Sequence, residues 1–299
     1  ELIIYVLIGF FLGIQRTIIS SFLIITLSLL NICFSIYFVN ELGLNVKGVA
    51  FGTLLAAYIT VLSFSVYTYF YIIKKFKVIP RFAPKKLLNL KKIIKLLNIN
   101  FNIFIRTILL TFSFFWITYL GSTLGEEYVA VNSILLQLIF ISSFFLDAYA
   151  FSTEGIVGYS IGKKSSKMFF NTVKNSLILS FITGILISIF FLFFAKEIIN
   201  LITDLEFLIF LTYKYLIWVI LIPPVASIAY QLDGIFIGAT QTKELRNAMI
   251  VSVFIYLFLS VFLTKQLHNY GIWFSLLLFM ILRASTLHFY FSKILNQFR

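Results

Sequence analysis

The chain has 299 residues, of which 61% are hydrophobic, 19% aromatic and only 12% charged, and its mean hydropathy is +1.03. A soluble domain of this length cannot bury so much apolar surface, so the composition excludes a water-soluble globular protein and predicts an integral membrane protein whose solvent is the lipid bilayer. The net charge of +13 would suit a nucleic-acid-binding protein, but the basic residues lie in loops between apolar segments, so we expect no nucleic-acid partner.

The predicted membrane helices begin with an incomplete one. The opening apolar stretch ends near Leu12, whereas about 20 residues are needed to cross a hydrocarbon core of about 30 Å. We therefore expect the second half of a helix whose beginning is missing, and the chain to be a fragment. Eight longer apolar runs follow, and they predict full spans at about 18–39, 48–73, 99–120, 128–161, 169–195, 213–238, 247–264 and 271–292.

The loop at 74–98 sets the expected orientation, because it carries many Lys and Arg residues and no acid. Cytoplasmic loops of membrane proteins are enriched in basic residues. Placing this loop in the cytoplasm brings most of the 24 Lys and Arg residues to that side by alternation. We therefore expect a multi-pass protein of the cell membrane whose loop 74–98 and C-terminus are cytoplasmic.

The same loop contains apolar residues at helical spacing. They predict an amphipathic helix lying at the lipid headgroups, and a frayed basic linker is the alternative. The residues are Leu87, Leu90, Ile93, Ile94 and Leu97.

An internal repeat relates the two ends of the chain. The frame Gly-x3-Gly-x3-Thr occurs at Gly9, Gly13 and Thr17, and again 225 residues later at Gly234, Gly238 and Thr242. A second pair of similar segments, Lys47–Gly52 and Tyr270–Ser275, opens the span that follows each copy. Two matches in the same order indicate duplicated helix bundles.

Ionisable side chains inside the predicted spans are Arg106, Asp147, Glu154, Asp233 and Arg283. A charge near the bilayer centre costs about 2.5–3.5 kcal/mol, so these groups must face one another or a water-filled cavity. Asp147 lies about two helical turns deeper than the others, on the same helix face as Glu154. Two bases and three acids leave one acid without a partner, and we expect Asp147 to be the acid that exchanges H+ or Na+. A static ion-pair network is the alternative.

Several strings resemble the DinF-like branch of the multidrug and toxic compound extrusion (MATE) transporters. They are Leu30–Ile32, Asn45–Thr53, Asp147–Gly155, Tyr215–Trp218, Leu232–Thr240 and Glu244–Met249. The resemblance implies an all-α integral membrane fold with two six-helix lobes. In this chain it implies a partial N-lobe at 1–73 (the end of helix 4, helices 5 and 6), a basic inter-lobe linker at 74–98, and a complete six-helix C-lobe at 99–299.

The resemblance also implies a function. Such proteins are secondary active antiporters that export amphipathic or cationic compounds in exchange for H+ or Na+, here as a monomer in the bilayer. Asp147, Glu154 and Asp233 would couple ions, and Arg106 and Arg283 would form a charge network or gate.

The N-lobe departs from the family pattern. Relatives often have Asp four residues after the Asn that Asn31 matches, but this chain has Ser35. With Thr53, these residues form a polar remnant that cannot titrate.

Two other functions fit a polytopic membrane protein. A lipid-linked oligosaccharide flippase would need several basic residues for a pyrophosphate, and the spans offer only Arg106 and Arg283. An intramembrane lipid-modifying enzyme would need a nucleophile with a base or a metal-spaced cluster. One Cys and two His residues make neither a disulfide nor a metal cluster, so we expect no catalytic residue, no metal and no cofactor beyond the coupling ion.

Overall fold

The computed structural model describes residues 1–77 and 89–298, and these residues form an all-helical protein. The helices are α1 (Leu2–Gly13), α2 (Thr17–Ile36), α3 (Asn45–Phe76), α4 (Leu90–Leu124), α5 (Glu126–Gly162), α6 (Ser166–Ile202), α7 (Glu206–Gly238), α8 (Thr242–Leu267) and α9 (Asn269–Leu295). A π-helical turn, Tyr37–Glu41, extends α2, and a 3-10 turn, Asn296–Phe298, follows α9. Within the described ranges, 8 helices are long and apolar enough to cross a membrane, and they contain the predicted spans. The all-α membrane fold is confirmed.

The chain divides into two compact units, Glu1–Leu90 and Lys91–Arg299. The predicted linker 74–98 contains this boundary, but its ends are helical: α3 continues to Phe76 and α4 begins at Leu90. The rest of the predicted basic segment, with Arg81, Lys85, Lys86 and Leu87, lies outside the described residues.

The expected amphipathic helix at the headgroups is not a separate element. Residues 90–97 form the first turns of α4 and run without a break into the following span. No Pro or Gly interrupts the sequence between Leu90 and Tyr119 that could end a helix there.

In the first unit, α1, α2 and α3 pack around a small apolar core that includes Ile4, Leu7, Leu23 and Phe64. Most other large apolar side chains of these helices are exposed, as expected for a surface that contacts lipid.

In the second unit, α7 is the central helix and packs against α5, α6 and α9. Apolar side chains form two clusters along it. One contains Val219 and Tyr230 of α7 with Trp273 of α9, and the other contains Phe236 of α7 with Leu287 of α9. Asp233 lies on α7 close to where the two clusters meet, so this carboxylate is surrounded along its helix by buried apolar residues.

The repeated Gly-x3-Gly-x3-Thr frame has the same turn geometry in both copies. In the first copy the helix ends at Gly13, Gln15 is left-handed with φ 60°, and the Arg16 amide donates to the Phe11 carbonyl at 2.8 Å. In the second copy the helix ends at Gly238, Thr240 has φ 56°, and the Gln241 amide donates to the Phe236 carbonyl at 2.9 Å. The sequence repeat is therefore also a structural repeat.

A third copy of this turn, which the sequence comparison missed, joins α5 to α6. Here α5 ends at Gly162, Lys164 has φ 53°, and the Ser165 amide donates to the Ser160 carbonyl at 3.0 Å. The frame at this turn is Gly158, Gly162 and Ser166, in which Ser takes the place of Thr.

Glycines bring α5 and α7 into backbone contact. A Cβ atom placed on Gly234 would lie 2.5 Å from the Ala150 carbonyl oxygen, and one on Gly238 would overlap the Glu154 carbonyl oxygen. Such close approach between membrane helices is typical of small residues spaced four apart. The equivalent glycines of the first copy, Gly9 and Gly13, have no atom within 4 Å of such a Cβ in the described part of the chain.

Pro223 and Pro224 lie inside α7, and the helix is continuous through both. Proline has no N–H, so Pro224 leaves the carbonyl of Ile220 without its helical donor. The Ser188 hydroxyl of α6 donates to that carbonyl at 2.5 Å. A neighbouring helix thus replaces the missing hydrogen bond.

Candidate functional site

Asp233 binds two arginines at the centre of the second unit. One carboxylate oxygen, Oδ2, accepts hydrogen bonds from Nη2 of Arg106 on α4 and, at 2.6 Å, from Nη2 of Arg283 on α9. The Asp233 and Arg283 side chains are almost fully buried, at 5% and 1% exposure, and that of Arg106 is 15% exposed. Three helices that are far apart in sequence are therefore joined through one oxygen atom. We call Arg106, Asp233 and Arg283 the arginine clamp.

Aromatic and sulfur groups surround Arg283. Its guanidinium carbon lies 5.5 Å from the ring centre of Tyr230 and 5.7 Å from that of Phe279. Nη1 donates to the sulfur of Met280 at 3.3 Å. These contacts stabilise a cation away from water, so Arg283 has a fixed position.

The arginine clamp carries a net charge and does not use all of its hydrogen-bonding atoms. Its formal charge is +1, because two guanidinium groups share one carboxylate. Among the described residues, Asp233 Oδ1, Arg106 Nε and Arg283 Nε have no hydrogen-bond partner. A buried positive charge is costly unless an anion lies nearby, so the clamp needs a further negative group.

Asp147 of α5 can supply that negative charge. Its side chain is half-buried, and its charge interacts with those of Arg106, Asp233 and Arg283. It forms no ion pair with any residue in 1–77 or 89–298. The acid that the charge count left without a partner is therefore within electrostatic range of the clamp but not bound to it.

The structure does not bring Glu154 into the arginine clamp. Glu154 lies on α5, two turns beyond Asp147, and its backbone carbonyl contacts Gly238. Its half-buried side chain has no ion pair within the described ranges. Glu154 is therefore not one of the charges that the clamp brings together.

The polar remnant of the first unit is assembled. Asn31 Nδ2 donates to Thr53 Oγ1 at 3.0 Å, and Ser35 Oγ donates to Asn31 Oδ1 at 3.4 Å. A Cβ atom on Gly52 would lie 2.7 Å from Ser35 Oγ, so α2 and α3 are very close here. The three predicted residues therefore form a hydrogen-bonded chain of neutral groups.

Other polar contacts close the basic end of the second unit. Lys293 of α9 forms an ion pair with Glu244 of α8 at 3.0 Å, and Arg246 donates to Asn102 of α4 at 2.9 Å. Glu244 is not among the site residues predicted from the sequence. An acid in the first turn of α8 and a lysine in the last turn of α9, the following antiparallel helix, lie at the same end of the bundle, so their positions could have predicted this ion pair.

The opposite end of the second unit is held by amides. Asn132 of α5 and Asn269 of α9 are buried and exchange hydrogen bonds at 2.8 and 3.0 Å. The Trp273 indole also donates to Asn132 Oδ1 at 2.8 Å. We call these three residues the amide pair with its tryptophan.

Comparison with known proteins identifies a protein family that matches more than half of the chain. A model of the MatE family matches residues 103–264. DNA damage-inducible protein F of Escherichia coli (strain K12) is 31% identical over 295 residues, which cover 94% of this chain and 61% of that protein. Protein DETOXIFICATION 43 of Arabidopsis thaliana is 24% identical over 287 residues, which cover 93% of this chain and 51% of that protein. The chain therefore spans less than two thirds of either relative.

Solved structures share the fold. A Vibrio cholerae MATE transporter in the bent form matches 99% of this chain and 66% of its own, with a TM-score of 0.85 and 15% identity. A MOP superfamily transporter from Pyrococcus furiosus, described as having a binding pocket of reversed polarity, matches 95% of this chain and 64% of its own, with a TM-score of 0.81 and 16% identity. At these identities the similarity shows the fold alone.

Proposed function

Because this chain belongs to the MatE family, we propose that it acts as part of a secondary active transporter that exports amphipathic or cationic small molecules in exchange for H+ or Na+. The observation that carries the proposal is the half-buried Asp147, whose charge interacts with those of the arginine clamp although it forms no ion pair in the described part of the chain. An intramembrane acid of this kind marks an ion pathway.

The charges suggest how coupling works. With Asp147 ionised, this acid and the arginine clamp sum to zero; with a cation bound to Asp147, they sum to +1. The electrostatic free energy of the helices α4, α5, α7 and α9 therefore depends on whether Asp147 is occupied. A transporter needs such a dependence, because an ion can shift a conformational equilibrium only through unequal interaction with the two states.

The other charged residues take different roles. A cation that approaches Asp233 must displace two guanidinium groups, whereas one that approaches Asp147 displaces none. We therefore assign ion exchange to Asp147 and give Asp233, Arg106 and Arg283 a positioning role. Glu154, which is apart from the clamp, is a second candidate for ion coupling closer to the basic end.

Transport by the protein in lipid vesicles tests the proposal. A pH gradient and a Na+ gradient are imposed separately, and efflux of a fluorescent cationic dye is measured. We expect one gradient to drive efflux, Asp147→Asn to abolish the gradient-driven part, and Glu127→Gln, an exposed acid in the first turn of the same helix, to leave it intact. Gradient-driven efflux by Asp147→Asn at the wild-type rate would overturn the assignment of Asp147.

The flippase alternative is less well supported. A pyrophosphate would need free guanidinium or ammonium groups, and both arginines of the clamp already bind Asp233. An excess of a lipid-linked pyrophosphate should therefore leave dye efflux unchanged, whereas competition would favour the flippase. Asp233 is held by two guanidinium groups, and the solved structures that share the fold are transporters, so we propose a transporter and not an intramembrane enzyme.

A further inference from the structure

A groove with several polar side chains in its walls lies between α5 and α6, and no residue of the arginine clamp lines it. Its volume is about 580 Å³. The α6 wall carries Lys167, Asn171 and Asn175, and the α5 wall carries Tyr149 and Ser152. Lys167, Asn171 and Asn175 are four residues apart, so they form one stripe along the helix. We call this feature the α5–α6 groove.

The polar groups of this stripe have no partner in the protein. Lys167, Asn171 and Asn175 are exposed, and none of them has a hydrogen bond or ion pair with another described residue. By contrast, the hydroxyls of Thr172 and Ser176, which also line the groove, bond to carbonyls of their own helix. One ammonium and two amide groups are thus available to a ligand.

The groove is at the depth of a lipid headgroup. With 37 residues, α6 is about 55 Å long, which exceeds the 40–45 Å of a whole bilayer, so it must project beyond the hydrocarbon. Lys167 lies in the first turn of α6, and Asn175 lies eight residues later, about 12 Å deeper. The stripe therefore runs from the aqueous edge to the hydrocarbon boundary.

The basic residues around the groove favour an anionic ligand. Lys163, Lys164 and Lys174 are exposed close to it along the chain, and none of the described residues lining it is acidic. An ammonium group binds phosphate, and amide N–H groups donate to phosphate or ester oxygens. Basic pockets between transmembrane helices on one face of a membrane are suited to anionic lipid headgroups.

From this juxtaposition we propose that the α5–α6 groove binds the phosphate headgroup of an anionic phospholipid from the leaflet at the basic end of the bundle. Lys167 contacts the phosphate, and Asn171 and Asn175 donate to the phosphate and to the ester oxygens below it. The site is independent of the ion exchange proposed for Asp147.

Native mass spectrometry of the purified protein with added phosphatidylglycerol or phosphatidylcholine tests this. We expect the wild-type protein to bind phosphatidylglycerol preferentially. Lys167→Ala should weaken that binding roughly fivefold, because a basic residue near an anionic lipid surface contributes about that factor. Asn171→Leu with Asn175→Leu should reduce the preference further while keeping helicity, since Leu is a good helix former.

The matched control is Lys196→Ala, which removes an exposed lysine from the far end of the same helix. It should leave phosphatidylglycerol binding unchanged. An equal loss in this control, or no loss in Lys167→Ala, would overturn the proposal. Displacement of the lipid by millimolar inorganic phosphate would also overturn it, since the site would then be one for free phosphate.

Discussion

Asp233 illustrates what a single buried carboxylate does in this protein. Its Oδ2 atom binds guanidinium groups from α4 and α9; the Arg283 side chain is almost fully buried and that of Arg106 is mostly buried. Breaking a buried ion pair by removing one partner is strongly destabilising, because the other charge stays buried without compensation. The arginine clamp therefore links ion chemistry to the packing of three helices.

Replacement of the carboxylate measures this link. Asp233→Asn should lower the free energy of unfolding by about 3–5 kcal/mol, since two arginines lose their counter-charge. Thermal unfolding in detergent gives the shift.

Asp204→Asn, which changes the same group at an exposed position in the loop before α7, is the control and should have little effect. An equal, small shift in both variants would show that the clamp contributes little to stability.

Most residues of the candidate site could be predicted from the sequence, but which of them form ion pairs could not. The cost of a charge in lipid is enough to select Arg106, Asp147, Asp233 and Arg283 as residues that face one another. Counting residues from a helix end gives depth only to about one turn, and the rotation of each helix decides which groups meet. For this reason the sequence could not show that Asp233 pairs with both arginines while Glu154 pairs with neither.

Ser188 provides a second test at the level of one side chain. Ser188→Ala removes the donor to the Ile220 carbonyl that Pro224 leaves unpaired. We expect a loss of about 0.5–1.5 kcal/mol in thermal stability.

Ser180→Ala is the matched control, because the Ser180 hydroxyl is buried on the same helix with no partner in the described residues. Removal of this hydroxyl should leave the thermal stability unchanged or increase it. A larger loss for Ser180→Ala than for Ser188→Ala would contradict this account of the prolines.

At the scale of the helix pair, the Gly-x3-Gly-x3-Thr frame can both form a turn and allow close packing of two helices. The Gly-x3-Gly-x3-Thr turn has the same hydrogen bonds after α1 and after α7, but the glycines pack closely only at α7, where Gly234 and Gly238 meet α5. The turn is local and depends on its own residues, whereas packing depends on the neighbouring helix. A repeat in sequence therefore predicted the turn and not the contact.

The two copies provide a matched pair of substitutions. Gly234→Ala should destabilise the protein by about 1–3 kcal/mol, because the new Cβ would lie 2.5 Å from a backbone oxygen that cannot move freely. Gly9→Ala, at the equivalent position, should be neutral or stabilise by up to about 1 kcal/mol through helix propensity. Thermal midpoints in detergent compare them, and equal effects would contradict the close contact between α5 and α7.

At the scale of the whole molecule, the prediction that remains is orientation. The repeated turns after α1, α5 and α7 carry Arg16, Lys163 and Lys243, and alternation puts all three on one side. The basic bias of cytoplasmic loops predicts that this side is the cytoplasm.

Cysteine labelling in intact cells tests the orientation. In a Cys33→Ser background, Lys243→Cys and Lys163→Cys should react with an impermeant maleimide only after permeabilisation, whereas Lys265→Cys should react in intact cells. All three lysines are exposed, so access depends on the side of the membrane alone. The reverse pattern would invert the topology.

The number of membrane spans could be predicted from the sequence, but the positions at which the helices begin could not. Hydropathy was enough for the spans, because lipid requires each to satisfy its backbone bonds within one helix. It could not predict that α4 starts as early as Leu90, since the amphipathic pattern of a headgroup helix and that of a protruding helix end are the same.

The amide pair with its tryptophan, at the end of the second unit opposite the Lys293–Glu244 pair, has a consequence for how that unit responds to its surroundings. Protons and dissolved salts act on formal charges, and amide or indole groups carry none in the physiological range. A change of pH or salt acts on the Lys293–Glu244 ion pair at the opposite end, whereas the hydrogen bonds between Asn132 and Asn269 involve no formal charge. The contacts that join the helices of this unit therefore respond to the surrounding solution at one end and not at the other.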